Sequence, residues 1–277
     1  MWTLKNLAFA LILLLLWLVL LLAKTPATFV LSKIDLGESF TYAHAQGTLW
    51  HGEIMQASLK LNDKTIPLGK LSWQMQAWPL LLGRVSAIIQ IKHPEQRLQA
   101  QLSRSLSQVR VSDVNATMPL TALSSVIPVS NVSGIATIDI ETLAWNIKQA
   151  QVVDLNGTIT MKSLRVPLVS DNPLGDYQAT LTLAENNADV ISVKANDTQA
   201  TLGLEVGLTV EQSQHTWALL VNATIKDTSD PKLDGLLSAV MRKQSTGVYQ
   251  YKKVDRYQPW FSANDGAATQ DDSKINP

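Results

Sequence analysis

The chain divides into two regions with different patterns of hydrophobic positions. The first is an unbroken apolar run from Leu7 to Ala23, which carries no charged residue and is flanked by Lys5 and Lys24. At a rise of about 1.5 Å per residue, such a run extends roughly 25 Å as an α-helix, close to the hydrocarbon thickness of a bilayer. The pattern therefore predicts that residues 1–24 form one transmembrane helix embedded in a lipid bilayer.

Two interpretations of this run are open: a signal peptide that is removed, or an anchor that is retained. A secretory apolar region usually has about 7–15 residues and precedes a cleavage site of small residues. The best cleavage candidate here, Thr25-Pro26-Ala27, contains a proline. We therefore expect a retained anchor. Because no soluble segment precedes the run, we expect the amino terminus inside the cell and the body exported, although the flanking lysines give only a weak bias.

Beyond Lys24 the dominant pattern is alternation of apolar and polar residues, which is typical of half-buried β-strands. Because one side of each strand is apolar, the strands are expected to pair antiparallel, with one packed and one solvated face. The sequence predicts a mainly β protein whose body is a large, strongly coiled antiparallel sheet or a jelly-roll-like arrangement. The clearest alternating runs are Met55–Leu61, Tyr177–Leu183, Ala200–Val210 and Trp217–Ile225.

Dipeptides that favour turns separate many of these runs. Examples are Asn156-Gly157 and Asn196-Asp197. Asparagine and aspartate side chains bond readily to nearby backbone groups, and asparagine and glycine tolerate left-handed backbone. We expect the chain to reverse at these positions.

Two segments depart from alternation and show helical spacing of their apolar residues. They cover 120–127 and 233–241, and each follows a proline, Pro119 or Pro231, a residue favoured in the first helical turn. The sequence therefore predicts two short helices in the β body.

The arrangement of these elements predicts the division of the chain. The exported β domain covers residues 25–258. Because each short helix follows a series of strands, the domain is interpreted as two similar halves, 42–130 and 131–258. Residues 259–277 are small and polar without any pattern, so we expect a disordered tail.

Composition limits the classes of partner. Lysine plus arginine and aspartate plus glutamate each number 23, so the formal net charge is zero. A nucleic-acid-binding protein needs a basic surplus to displace counterions, so this balance argues against nucleic acid as a partner. The chain has no cysteine, which excludes disulfides, cysteine nucleophiles and thiolate metal ligands.

The chain shows no motif of a known catalytic or metal site. The four histidines, His44, His51, His93 and His215, lack zinc-ligand spacing. There is no nucleophile elbow, no phosphate-binding glycine loop and no spacing that implies a pair of facing carboxylates. We therefore predict no catalytic, cofactor-binding or metal-binding residue, no cofactor and no enzymatic activity.

Two local features indicate packing or contact. Trp50 lies beside Gly52, which favours a core tryptophan over a glycine gap, with a partner contact as the alternative. The apolar corner Pro79–Leu82 is either a cap on one end of the sheet or a patch for another membrane protein, and we favour the cap.

The residues around these two features form a recognisable pattern: glycine-threonine-aliphatic-tryptophan-x-glycine, leucine-x-tryptophan, a proline segment with two leucines, and glycine-arginine. In this pattern the sequence resembles the type II secretion system protein N family. Segments that begin at Leu155 and Leu174, and the stretch Leu233–Tyr251, fit the second half of the family, so the resemblance covers most of residues 1–255. The matching residues of the first half are Gly47, Thr48, Leu49, Trp50, Gly52, Leu71, Trp73, Pro79, Leu81, Leu82, Gly83 and Arg84.

The resemblance implies a single-pass protein of the bacterial inner membrane with its body in the periplasm. It implies a non-enzymatic accessory component of the machinery that exports folded proteins across the outer membrane. The expected partners are other inner-membrane subunits of this machinery and the lipid bilayer, while self-association is left open.

An alternative of another class is a membrane-anchored β-groove protein that handles or bridges lipids in the cell envelope. A long one-sided sheet could hold acyl chains along its apolar face. The inward positions from Ala200 to Val210 discriminate between the two, because they would line either an open groove or a filled core.

Overall fold

A computed structural model of the protein describes residues 4–33, 39–61, 64–123, 131–170, 172–185, 187–226 and 231–257. The predicted tail, residues 259–277, lies outside the described residues.

The body is a single antiparallel sheet. Its strands follow one another in space in nearly the same order as in the sequence, β1-β3-β4 through β13-β15-β14, and β2 pairs with β3. The strands are β1 (Phe40–Thr41), β2 (His44–Gly47), β3 (His51–Leu61), β4 (Lys64–Gln76), β5 (Val85–His93), β6 (Gln96–Arg104), β7 (Gln108–Pro119), β8 (Ser133–Asn146), β9 (Gln151–Arg165), β10 (Gly175–Ala184), β11 (Asn187–Ala200), β12 (Leu202–Glu211), β13 (Thr216–Ile225), β14 (Arg242–Ser245) and β15 (Val248–Arg256).

This topology confirms the mainly β, antiparallel prediction and corrects the jelly-roll-like alternative. A jelly roll needs two packed sheets joined by long crossovers. Here nearly every strand lies beside the strands that precede and follow it in the sequence, so the sheet grows as a meander. The predicted division into halves 42–130 and 131–258 stays a prediction.

Helices occupy few of the described residues. They are α1 (Leu4–Lys24), α2 (Ala27–Leu31), α3 (Pro231–Val240) and two 3₁₀-helices, Trp78–Leu82 and Leu120–Leu123. The helix predicted after Pro231 is confirmed. The helix predicted after Pro119 is confirmed in its first turn, Leu120–Leu123, which is a 3₁₀-helix that follows β7 directly. The rest of that predicted helix, residues 124–127, lies outside the described residues. Within the ranges that the structure describes, four short helical segments thus accompany α1, where two were predicted.

The leading apolar run is helical, as predicted, and it coincides with α1. Large apolar side chains of α1, among them Leu11, Ile12 and Leu14, are largely exposed. In the part of the chain that the structure describes, no helix has both the length and the apolar character required to cross a membrane.

Successive connections alternate between two ends of the strands, because neighbouring strands run in opposite directions. The first end lies beside the carboxyl end of α1, since Leu49 donates to the carbonyl of Thr25. We call it the α1 end, and the opposite end, where α3 lies, the α3 end. Of the connections that the structure describes in full, the α1 end holds 48–50, 77–84, 105–107, 147–150 and 212–215.

One face of the sheet is apolar from strand to strand. Leu208 lies opposite Leu219 on one side and opposite Val193 on the other, so all three side chains share a face. The opposite face is polar: Asn222 donates to Glu205 at 3.2 Å and accepts from Gln250 at 3.0 Å. The alternation seen in the sequence therefore corresponds to one apolar face and one face whose polar side chains form hydrogen bonds with one another.

Most of the buried core lies at the α3 end. There α3 covers the apolar face, and a second cluster around Leu120, Val132 and Ala136 continues it. A third cluster, Ala45, Ile54 and Ala57, lies near the amino-terminal edge and packs against Leu31 of α2. The buried residues of the cluster under α3 are Leu174, Tyr177, Leu202, Ala223, Ile225, Leu233, Leu237 and Tyr249.

Candidate functional site

The segment 47–52, which we call the clamp hairpin, connects β2 to β3 and contains the first motif of the sequence. Gly47 pairs with Gly52, and its φ of 96° lies in the left-handed region that favours glycine. A Cβ atom on Gly47 would lie 2.4 Å from the carbonyl oxygen of His51. Both the backbone conformation and the close approach therefore explain why glycine begins the motif.

Trp73 fills the space that Gly52 leaves free. The two residues lie opposite each other on β3 and β4, and a Cβ atom on Gly52 would lie 2.1 Å from the indole ring of Trp73. The Trp73 indole N–H donates to the carbonyl of Leu49 at 3.0 Å. The tryptophan over the glycine gap is thus Trp73, which corrects the expectation for Trp50.

Trp50 instead contacts the end of α1. Its indole N–H donates to the carbonyl of Leu22 at 2.9 Å, and the backbone N–H of Leu49 donates to the carbonyl of Thr25 at 2.9 Å. The last carbonyl groups of a helix have no partner within the helix. The clamp hairpin therefore caps the carboxyl end of α1 and fixes it to the sheet.

The residues after α1 are also integrated into the fold. Pro26 forms an isolated bridge with Thr48, and Ala27 has no exposed surface. α2 then packs Leu31 against the cluster of Ala45 and Ile54. The junction between helix and sheet is therefore an ordered contact.

An open apolar cavity of about 600 Å³ lies at the α1 end of β8 to β15. Leu208 and Val210 line it, whereas Leu202, at the other end of the same strand, is buried in the core under α3. The inward positions of β12 thus belong to a filled core at the α3 end and to an open cavity at the α1 end. The residues lining the cavity are Trp145, Ala150, Val152, Ile191, Leu208, Val210, Gln212, His215, Trp217, Leu219 and Tyr257.

Gln212 fixes one wall of this cavity. Its side chain is buried, accepts from the backbone N–H of Val152 at 2.7 Å and donates to the carbonyl of Val152 at 2.9 Å. This pair of bonds ties the connection 212–215 to β9. Because a buried amide with satisfied partners is costly to displace, the cavity has a preformed wall.

Polar groups at the cavity margin are few. The Lys253 ammonium lies 5.4 Å from the ring centre of Trp217 and 3.2 Å from the carboxylate of Asp255. The rings of His215 and Tyr257 contact each other at a tilt of 60°, with their centres 5.6 Å apart. Burial, with a smaller contribution from the charge of Asp189, raises the pKa of Tyr257 above the usual value of tyrosine.

The α3 end is closed by hydrogen bonds as well as apolar packing. Tyr249 and Lys243 both donate to Asp234 of α3. These hydrogen bonds hold the pKa of Asp234 below its usual value, and the bond from Tyr249 has the larger effect. Tyr177 donates to the carbonyls of Leu202 at 2.9 Å and Leu174 at 3.3 Å. A ligand on the apolar face would therefore meet a closed end under α3.

No group of three or more histidine, aspartate or glutamate side chains that could hold a metal occurs among the described residues. The sequence offered no catalytic residue to locate, and its prediction of no catalytic, cofactor or metal residue stays a prediction. The contact that sequence reasoning missed is the one between Trp50 and α1. The available signal was in the sequence, where the tryptophan motif is the first motif after the end of the apolar run.

Fold and site define a class: an antiparallel β meander clamped to an amino-terminal apolar helix, with an open apolar cavity on one face. The family model of type II secretion system (T2SS), protein N, matches residues 39–252, from just before β1 into β15. The chain therefore belongs to the type II secretion system protein N family, as the sequence indicated. Members of this family are accessory components of the secretion system, and the family is not a known enzyme family. No curated protein and no solved structure matches the chain.

Proposed function

We propose that the protein is a non-enzymatic accessory subunit that α1 anchors in the bacterial inner membrane, with residues 25–258 as a periplasmic domain. There it supports the export of folded proteins through contacts with other inner-membrane subunits. The family match over residues 39–252 carries this proposal.

The anchor is supported by the sequence of α1 and by its junction with the sheet. The run Leu7–Ala23 has no charge, and its exposed apolar side chains would be more stable in lipid than in water. Cleavage near Thr25-Pro26-Ala27 would remove the Leu22 contact of Trp50 and cut a segment that is paired and buried. These contacts favour a retained helix.

Partner contacts are assigned to the outer strands of the sheet. The strand order begins with β1 and ends with β14, which are short strands. Strands at the edge of a sheet offer backbone donors and acceptors to an extended segment of another protein. A scaffold subunit needs such a surface and no reactive site.

Chemical crosslinking of cells that secrete through this system tests the proposal. We expect the full chain in the inner-membrane fraction, crosslinked to other subunits of the secretion machinery, because its body lies beside their periplasmic parts. Mass spectrometry of the crosslinked peptides identifies the partners. Recovery of no secretion subunit, or of a mature soluble chain that begins near residue 28, would contradict it.

A second candidate function, lipid handling, is favoured by one observation. The cavity at the α1 end is open and mostly apolar, and it lies on the sheet end that is joined to α1. Its volume of about 600 Å³ is within the range of small-molecule sites. An acyl chain is the apolar ligand that a membrane supplies.

Photocrosslinking at two neighbouring residues of β13 tests this second function. Leu219 lines the cavity, whereas Leu220 points to the opposite face and is 39 % exposed. With a photoreactive amino acid at either position of the full chain in cells, we expect phospholipid adducts at position 219 and few at position 220. Intact-mass analysis detects them. Equal lipid adducts at both positions, or a peptide adduct at position 219, would exclude the cavity as a lipid site.

A further inference from the structure

Exposed apolar side chains cluster on three connections at the α1 end. Leu106, in the connection 105–107, is 95 % exposed, and Leu81 and Trp78 of the first 3₁₀-helix are 76 % and 73 % exposed. Leu82 and Ile147 extend this row. The expected cap at Pro79–Leu82 is therefore wrong for Leu81 and Leu82, because both side chains are largely exposed instead of packed on the sheet. We call Trp78, Leu81, Leu82, Leu106 and Ile147 the apolar tips.

The apolar tips lie on the part of the sheet nearest to α1. They occupy successive connections at this end, between β4 and β9, on the same side as the clamp hairpin that holds α1. The later connection 212–215 at the same end reads Gln-Ser-Gln-His. Among the described connections at this end, the exposed large apolar side chains are thus confined to those that follow the clamp hairpin most closely in the strand order. Single exposed apolar residues are common on surfaces, but a row of them next to an apolar helix is not.

Three arginines accompany the apolar tips. Arg84, Arg104 and Arg110 line one concavity of about 310 Å³ together with Ser103, Ser105 and Gln108. Arg110 also lies 3.6 Å from Asp154, in an exposed ion pair of the kind that contributes little. Guanidinium groups bind phosphate oxygens in a bidentate manner, and serine hydroxyls add further donors. The cluster is thus suited to the phosphate of a lipid head group.

We propose that the α1 end of β4 to β9 rests on the surface of the bilayer that holds α1. The apolar tips enter the boundary between head groups and acyl chains, and the three arginines bind anionic phospholipid head groups. Interfacial binding of this kind combines buried apolar area with attraction to anionic lipid. The inference rests on the proposed anchoring by α1, and it goes further because it fixes which end of the sheet faces the membrane.

A membrane surface fits these observations better than a protein partner. The tips come from three separate connections that share one end of the sheet, and α1 leaves the sheet at that end. A basic cluster beside the apolar tips is complementary to anionic lipid. The arginines would contact the head groups, and the apolar side chains would lie slightly deeper, at the start of the acyl chains.

Labels on single cysteines test the orientation, because the chain has no cysteine of its own. The variants are Leu106→Cys at a tip, Leu168→Cys as a matched control at the α3 end, where the leucine is 64 % exposed, and Leu14→Cys in α1. Each full-length variant carries an environment-sensitive nitrobenzoxadiazole label. The chains are reconstituted into vesicles of phosphatidylcholine and phosphatidylglycerol with spin-labelled lipid as the quencher.

We expect strong quenching and a blue-shifted emission for Leu106→Cys, and neither for Leu168→Cys. Replacement of Arg84 and Arg104 by glutamine, or the use of phosphatidylcholine alone, should reduce quenching at Leu106→Cys, and replacement of both arginines by lysine should restore part of it. Each basic side chain near an anionic surface contributes roughly a fivefold change in binding.

The label in α1 separates the two levels of the proposal. If Leu14→Cys is quenched while Leu106→Cys is as unquenched as Leu168→Cys, the anchor stands and the orientation is wrong, which leaves the tips for a protein partner. If Leu14→Cys is not quenched, the anchoring itself is wrong. Equal quenching of Leu106→Cys and Leu168→Cys would also overturn the orientation.

Discussion

Replacement of Tyr177 by alanine is expected to lower the free energy of unfolding by about 3–5 kcal/mol, as for other large aromatic residues truncated in a core. Tyr177 is 3 % exposed and lies in the cluster under α3. Its ring supports the α3 end, and its hydroxyl donates to the carbonyls of Leu202 and Leu174. Urea titration of the full chain in detergent micelles, followed by near-ultraviolet circular dichroism, measures the loss.

Two further variants separate the contributions of the ring and the hydroxyl. Tyr177→Phe keeps the ring and should lose only about 0.5–1.5 kcal/mol. Tyr42→Ala removes a tyrosine that is 39 % exposed and should change stability by about 0.5 kcal/mol or less. A loss for Tyr177→Ala no larger than that for Tyr42→Ala would show that the cluster under α3 does not stabilise the sheet.

The Tyr177 hydroxyl also gives stability a pH dependence. Burial, with the charge of Asp197, raises the pKa of Tyr177 in the folded state. Its contribution is therefore fully present below about pH 10, the usual pKa of tyrosine, and is lost as the pH rises toward the folded-state value. Tyr177→Phe should lack this alkaline component.

Replacement of Gly52 by alanine is expected to lower the free energy of unfolding by about 1–3 kcal/mol, the usual range for overpacking. The new methyl group would overlap the Trp73 ring, which has to move and so weakens its hydrogen bond to Leu49. Since Leu49 and Trp50 hold the end of α1, the junction should loosen as well. The same urea titration measures stability.

A double-mutant cycle identifies the clash as the cause. Trp73→Phe removes most of the ring atoms that approach Gly52, so Gly52→Ala should cost much less in that background. Gly207→Ala is the matched control, because a Cβ atom there meets nothing within 4 Å, and it should raise stability by about 0.4–1 kcal/mol. Additive losses in the cycle would exclude the clash.

The local pattern of the sequence predicted the strands well, and it failed where polar residues lie inside them. Asn156 and Asn196, both predicted to form turns, lie within β9 and β11. Asn156 donates to Glu141 on the neighbouring strand at 2.5 Å. A polar residue on the solvated face of a sheet needs no turn when a neighbouring strand supplies its partner, and a single sequence does not show that neighbour.

The candidate sites depend on contacts between residues that are distant in sequence. Arg84, Arg104 and Arg110 meet only because β5, β6 and β7 are neighbours with a particular register. Trp50 reaches Leu22 across 28 residues. Periodicity predicts which face of a strand is apolar, but it does not predict which end of that face is covered and which remains open.

The meander has a consequence for the order in which the protein is built. Because nearly every strand pairs with the strand that precedes it in the sequence, each new strand can pair as soon as it is synthesised and needs no segment that is distant in sequence. The growing end is always a raw edge of unpaired backbone until the next ribbon arrives. A pause during synthesis would therefore leave an incomplete sheet whose outermost strand can pair with other chains. The last elements to be made, β13, α3 and β15, complete the apolar cluster under α3.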